Sequence, residues 1–181
     1  MKRRHPEKTV RVFVMDEARF GQQGTLTKMW ALRNSRPTAV KQTRYEWVYL
    51  YGAVDPLTGD ATALLLRHVN TAHMNAFLEV FSASLSPDEH AVLVMDNAGW
   101  HHAKDLKMPG NVTPLYLPPY SPELNPIERL WAYLKSHFLS NRAYETYESL
   151  LDAGVEAWNA LTEQLIASIC STSWITPEIQ T

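Results

Sequence analysis

The chain holds a single cysteine, Cys170, which excludes an internal disulfide and any zinc site built from several cysteines. Cys170 therefore reads as a small buried apolar residue. No stretch approaches the ~18 consecutive apolar residues of a membrane span. The opening MKRRHPEKTV is charged and leads into no apolar signal region with a small-residue cleavage site. A soluble intracellular protein is expected. Internal repeats, low-complexity tracts and an interdomain linker are absent as well. A strong net charge is also missing, at −2, but the average conceals a division. Residues 1–44 carry eleven Lys/Arg against three acids, a net +8, and the other 137 residues sum to −10. A basic N-terminal third can track a phosphate backbone while the acidic remainder supplies metal ligands; a solvated, lysine-rich leader is the simpler reading of the first eight residues.

What the chain does have is enough apolar material for one core. With 181 residues, 45% of them hydrophobic, and six tryptophans, it is long enough for one well-buried domain and short for two. Val10 to Met15 is β-branched and aromatic and reads as a strand buried on both faces, with Asp16 at its carboxyl end. Gly21 and Gly24 then mark a loop, and Met29 to Leu32 reads as a short extension. Glu46–Val54 and Ala61–Arg67 flank Asp55-Pro-Leu-Thr-Gly-Asp60 and read as a hairpin, so the first three strands are expected to be antiparallel. Asn70 or Thr71 caps a helix to about Leu85, with Met74, Phe77, Leu78 and Phe81 on one face. Ala91–Met95 is a second continuous apolar strand, ended by Asp96. A strand, helix, strand order requires a crossover that sets it parallel to one of the hairpin strands. Val112–Leu117 contains Pro114, which cannot donate to a ladder and so belongs at the sheet edge. Helices fill the end, over Pro126 to about Leu139 and Tyr147 to about Ile169, the latter broken or weakened near Gly154 and Asn159. The expected class is α/β: a mixed five-stranded sheet with helices on both faces.

Asp16 and Asp96 each end an apolar run, and ligands of parallel-type sheets bind beyond the carboxyl ends of strands. If the first and fourth strands are neighbours, at ~4.8 Å, their terminal carboxylates can bridge one hard cation. A turn or N-cap acid is the alternative for each, and Asp96-Asn97 opens turns well. Asn125-Pro126-Ile127-Glu128 matches a helix start with Asn as N-cap and Glu three residues on, so Glu128 alone favours capping. It nevertheless lies at the border of the stripe Ile127, Leu130, Trp131, Leu134, Phe138. With two strand-end aspartates and a rigid LPPYSP lead-in beside it, metal ligation becomes the preferred role. Glu123 precedes the helix and ranks below it. Glu17 points to the opposite face of an extended strand from Asp16.

The strings VFVMDEARF, VLVMDNAGWH and YLPPYSPELNPIERLWAYLK resemble the catalytic domain of DDE transposases, specifically the insertion-sequence group IS630 and its Tc1/mariner relatives. The resemblance runs from about Val10 to at least Lys135. It implies a ribonuclease-H-like fold, a DDE domain over 10–181 behind a basic leader over 1–9, and catalytic, metal-holding acids at Asp16, Asp96 and Glu128. The 31 residues between Asp96 and Glu128 are slightly fewer than in many relatives. Two Mg²⁺ or Mn²⁺ ions, ~3.5–4 Å apart, would serve in-line phosphoryl displacement without a covalent intermediate. In the transposases this chain resembles, water cuts at the element ends and the freed 3′ hydroxyl then attacks target DNA, and the resemblance implies the same reaction here.

Glu17, Asn97 and His101 are candidates for orienting the ligands from behind or the scissile phosphate directly; a helix-start or core-edge histidine is the plain alternative for His101. Arg33, Arg36, Lys41 and Arg44 are candidates for DNA-backbone contacts, with a solvated basic loop as the alternative. Trp30, Trp100, Tyr120 and Trp131 read first as core or loop-packing residues, although an exposed aromatic near the site can stack on a flipped base. Expected partners are element-end and target DNA, a second copy in the DNA complex, and a helix-turn-helix recognition module that is separate or missing, since nothing before Val10 is long enough to hold one. Such a protein is expected in the cytoplasm, with the nucleoid if bacterial. A nuclease without strand transfer and an inactive regulatory product remain the competing functions.

Overall fold

The computed structural model describes residues 6–22, 31–35 and 45–176. Five strands form one sheet in the order β3-β2-β1-β4-β5. They are β1 (Thr9–Gly21), β2 (Trp47–Val54), β3 (Ala61–Leu66), β4 (Glu89–Met95) and β5 (Val112–Tyr116). The hairpin partners are antiparallel, Asp16 opposite Gly52 and Gly52 opposite Ala63. β4 runs parallel to β1 and β5 parallel to β4. Pro114 sits in β5 at the edge, where its missing N–H interrupts no second ladder.

Alternation along β1 sorts its side chains between two cores. Val10, Val12, Val14, Ala18 and Phe20 join Ile127, Leu130, Trp131 and Leu150 on one face, beneath α2 (Ile127–Leu134), α3 (Tyr147–Asn159) and α4 (Glu163–Cys170). Phe13 and Met15 join Met74, Phe77, Leu78 and Phe81 on the other, beneath α1 (Thr71–Ser84). Asn70 caps α1 by accepting from the His73 N–H at 2.9 Å. Cys170 is fully buried. Among the described residues no helix is long and apolar enough to cross a membrane.

The end of β1 differs from the sequence reading, and of the two expected weak points in the last helix only Asn159 breaks it. β1 does not stop at Asp16 but runs on to Gly21, because β2 continues to pair with it after β4 has ended. Ala18 and Phe20 are buried while Arg19 is exposed, an alternation that carries the strand past the acid. The last helical segment breaks after Asn159, with Thr162 capping α4, and Gly154 lies inside an intact α3. A Cβ at Gly154 would stand 2.5 Å from Leu65 Cδ2 and 2.6 Å from a Phe20 ring carbon, so this glycine marks the close approach of α3 to the sheet. The expected extension over Met29–Leu32 lies partly outside the described residues, and Leu32 itself belongs to an exposed turn.

Candidate active site

Asp16 lies two residues past Val14, the last β1 residue paired with β4, and Asp96 directly follows β4. Both therefore emerge at the end of the parallel ladder, from neighbouring strands. The chain after β5 crosses this rim as Leu117–Pro122, and α2 then brings Glu128 down beside it. A cleft of about 420 Å³ is lined by Asp16, Asp96 and Glu128 together with Asn97, Asn125 and the proline-rich segment. Glu123 is exposed and does not line it.

Each acid is held differently. Asp16 accepts a hydrogen bond at Oδ2 from the indole Nε1 of Trp131, 3.0 Å. Trp131 is buried and reaches Asp16 by lying across β2 at Gly52, where a Cβ would stand 2.6 Å from the indole Cη2. A larger residue at 52 would fill the space the ring occupies. Burial, and secondarily the charges of Glu128 and Glu17, push the Asp16 carboxyl up to about 7, opposed by the Glu17 backbone N–H and the Trp131 indole. Asp96 accepts at Oδ1 from the Ala98 N–H at 2.9 Å, the turn role open to it from sequence, and the same oxygen lies 2.9 Å from His101 Nδ1. Glu128 makes no cap. The N-cap position is Pro126, which has no N–H for a capping glutamate, and Glu128 faces the cleft.

His101 belongs to the Gly99–His102 turn and is 1% exposed. Its Nδ1 is bonded to the Asp96 backbone oxygen, 3.1 Å, and its Nε2 to Glu17 Oε1, 3.2 Å. Burial opposes charging the ring, yet the hydrogen bond and charge of Glu17, with help from Asp96, raise its pKa. Trp100 Nε1 also donates to Glu17 Oε1, 3.2 Å, and Tyr116 Oη donates to the His101 carbonyl, 2.9 Å. Glu17 and His101 thus form a bonded pair behind Asp96, and the buried His101 ring does not line the cleft. Asn97 bonds to the Leu117 carbonyl through Nδ2 and accepts from His102 Nε2 at 2.8 Å, tying the end of β4 to the segment that roofs the cleft.

Sequence reading missed three contacts. Asn125, read as an N-cap, is buried and donates through Nδ2 to the Met15 carbonyl, 3.0 Å, pinning the entry to α2 beside Asp16. The Trp131 indole, expected first as a packing residue, also donates to Asp16. Its spacing of three from Glu128 puts both on one side of α2, and that was the available signal. Trp100 gave no signal, because its partner lies 83 residues away. Arg33 sits in an exposed turn away from the cleft lining. Arg36, Lys41, Arg44 and Trp30 lie outside the described residues.

The donor set is all oxygen, which suits Mg²⁺ or Mn²⁺. Among the described residues, however, no three acidic, histidine or cysteine side chains already form a group that could hold a metal. Asp96 is turned toward the Ala98 N–H and the His101 ring.

The proline-rich roof contains a second unusual feature. Tyr120 has φ +58°, in the left-handed region, at a cost of about 1–3 kcal/mol for a bulky side chain. Pro118 and Pro119 before it and Pro122 after it restrict the backbone on both sides.

The family model for DDE superfamily endonuclease matches residues 11–151, and the chain belongs to that family. It is 41% identical over 118 residues to the uncharacterized protein y4pE/y4sA of Sinorhizobium fredii (strain NBRC 101917 / NGR234), covering 65% of this chain and 87% of that protein. It is 26% identical over 144 residues to the insertion element IS630 uncharacterized 39 kDa protein of Shigella sonnei, covering 77% and 42%. Among solved structures it resembles the Mos1 strand transfer complex, with TM-score 0.67 and 22% identity over 88% of this chain and 50% of that one. The Mos1 mariner paired end complex with Mn gives 0.68 and 22%, covering 88% and 51%. The chain spans about half the length of these Mos1 chains, and what they share with it is the fold, a ribonuclease-H-like mixed five-stranded sheet with helices.

Proposed function

We propose that residues 10–181 are the catalytic domain of a DNA transposase that hydrolyses phosphodiester bonds at element ends and joins the freed 3′ hydroxyl to target DNA. One observation carries the reading: in a chain of the DDE endonuclease family, acids 112 residues apart at the extremes, Asp16 and Glu128, line one cleft with Asp96. Asp16, Asp96 and Glu128 would hold Mg²⁺ or Mn²⁺. A pair of such ions, when bound, supplies Lewis-acid activation of the attacking oxygen and stabilises the departing one.

The chain's own residues do the positioning. Trp131 fixes one Asp16 oxygen, and Asn125 fixes the start of α2 and so the approach of Glu128. Glu17 and His101 brace Asp96, and Asn97 holds the roof segment over the cleft. Rigid placement of this kind is what in-line displacement requires. Arg33, Arg36, Lys41 and Arg44 are assigned to the DNA backbone. Recognition of terminal repeats is assigned to a helix-turn-helix module outside 10–181, and the active assembly to two copies around paired DNA ends.

The test is Mg²⁺-dependent cleavage of terminal-repeat DNA by the chain mixed with or joined to its recognition module, followed by transfer of a labelled 3′ end into plasmid DNA. Cleavage and transfer are expected from the wild type and neither from Asp96→Asn. Cleavage without transfer would reduce the reading to a nuclease, and activity indifferent to the substitution would overturn it.

A further inference from the structure

Tyr120 stands at the lip of the cleft that Asp16, Asp96 and Glu128 line, with a relative exposure of 101%. Its ring makes no hydrogen bond or ring contact among the described residues, so neither packing nor a polar partner accounts for its presence. Its backbone is left-handed, φ +58°. Strain of this kind persists only where the surroundings over-determine it, and here they do. The segment is stiffened by three prolines. One end is tied down by Asn97 on the Leu117 carbonyl, the other by Asn125 on the Met15 carbonyl.

A turn that needed only this backbone shape would use glycine or asparagine. The other described non-glycine residues with positive φ are in fact both asparagines, Asn34 at 69° and Asn141 at 56°. A tyrosine in the third such position is the costlier choice for shape alone. What it adds is a large apolar face, held rigidly in water beside three carboxylates. An aromatic ring so placed gains by covering its face, and a nucleobase is the flat partner that a phosphodiester in the cleft would bring with it.

We propose that Tyr120 is a base-stacking residue, receiving an unpaired nucleobase of DNA next to the phosphodiester in the cleft. The proposal rests on the reading of the cleft as a DNA site. Stacking uses a π-face that every base has, so the contact selects for an unpaired end over a paired one rather than for sequence. It separates the roof segment's two duties: Asn97 and Asn125 hold the loop, and Tyr120 meets the substrate.

The experiment uses the whole chain without divalent metal and a DNA duplex with a three-nucleotide single-stranded end carrying 2-aminopurine. A blunt duplex of the same sequence is the control. The wild type and Tyr120→Phe are expected to quench the 2-aminopurine and bind the frayed duplex alike. Tyr120→Ala and Tyr120→Gly are expected to abolish the quench and weaken that binding on the order of ten-fold, with blunt-duplex binding unchanged. The glycine variant removes the ring while relieving the backbone, which keeps a folding defect from imitating the result. Wild-type quenching by Tyr120→Gly would show that loop shape alone matters, and would overturn the proposal, as would absence of quenching by the wild type. Cleavage with Mg²⁺ is scored separately, with the recognition module present: inactivity in every protein, beside a quench that still follows the ring, would sink the enzymatic reading and leave the stacking site standing.

Discussion

Where β1 begins, Arg11 donates from Nη2 to Asp55 at 2.8 Å and from Nη1 to Asp60 at 2.9 Å and Glu89 at 3.1 Å, joining the first strand to the β2–β3 turn and to β4. Where the parallel ladder ends on the same strand, Asp16, Asp96 and Glu128 share a cleft, and among the described residues no lysine or arginine bridges any of them. Burial disfavours the Arg11 charge, but its carboxylate partners outweigh that and raise its pKa. Burial at the far end instead pushes Asp16 up to about 7. One end of the sheet carries its own counter-charge and serves the fold. The other gathers like charge, the arrangement that the proposed cation would offset.

Substitutions should separate the two ends. The largest effect is expected at the closed end: Arg11→Ala leaves the fully buried Asp55 carboxylate without its guanidinium, and should cost about 3–5 kcal/mol in urea denaturation at neutral pH. A loss under 1 kcal/mol would remove the contrast. Next come Asp96→Asn and Glu128→Gln, which should reduce metal-dependent cleavage on the order of 10²-fold or more, about 3 kcal/mol of barrier, with little change in the denaturation midpoint. Equal losses of stability and activity would mean that these acids hold the fold together.

Asp16→Asn should do the opposite of Arg11→Ala in the absence of metal. The folded pKa of Asp16, about 7, lies above its ordinary 3.8, so between those values the native state binds more protons than the unfolded one. Stability therefore falls as pH rises through that window, and the asparagine variant should lose the slope. A gain on the order of 2 kcal/mol at pH 8 in chelator is expected, read by thermal or urea unfolding across pH 4–8. A wild-type stability that rises over this interval because of Asp16 would contradict the assignment. The smallest effect is expected from Gly52→Ala, about 1 kcal/mol, since the tip of the Trp131 indole must yield to the new methyl. Cleavage should fall with it if the indole positions Asp16, and Trp131→Phe, which removes the N–H, should not restore it.

Much of this was legible in the chain. Apolar runs ended by acids located Asp16 and Asp96, and Pro114 placed β5 at the edge, because both signals are local. The continuation of β1 was missed because an acid inside a strand reads as a stop, whereas pairing with β2 carries it on. Of the two positions where the last helix was expected to break or weaken, Asn159 is where it ends, whereas at Gly154 close contact with Phe20 and Leu65 explains the glycine. Glu17, His101 and Trp100 come together only through the fold, over more than 80 residues, so no spacing rule could have joined them. The Tyr120 ring, one of four aromatics read first as packing, is distinguished by a backbone angle that sequence does not print.

Titration of the protein with Mn²⁺, followed by electron paramagnetic resonance or calorimetry, asks most directly whether the acidic rim is a cation site. Binding is expected in the wild type, tightening from pH 6 to pH 8 as Asp16 gives up its proton, and lost in Asp16→Asn, Asp96→Asn and Glu128→Gln alike. Binding of equal strength in the three variants, or none in any protein including the wild type, would contradict it.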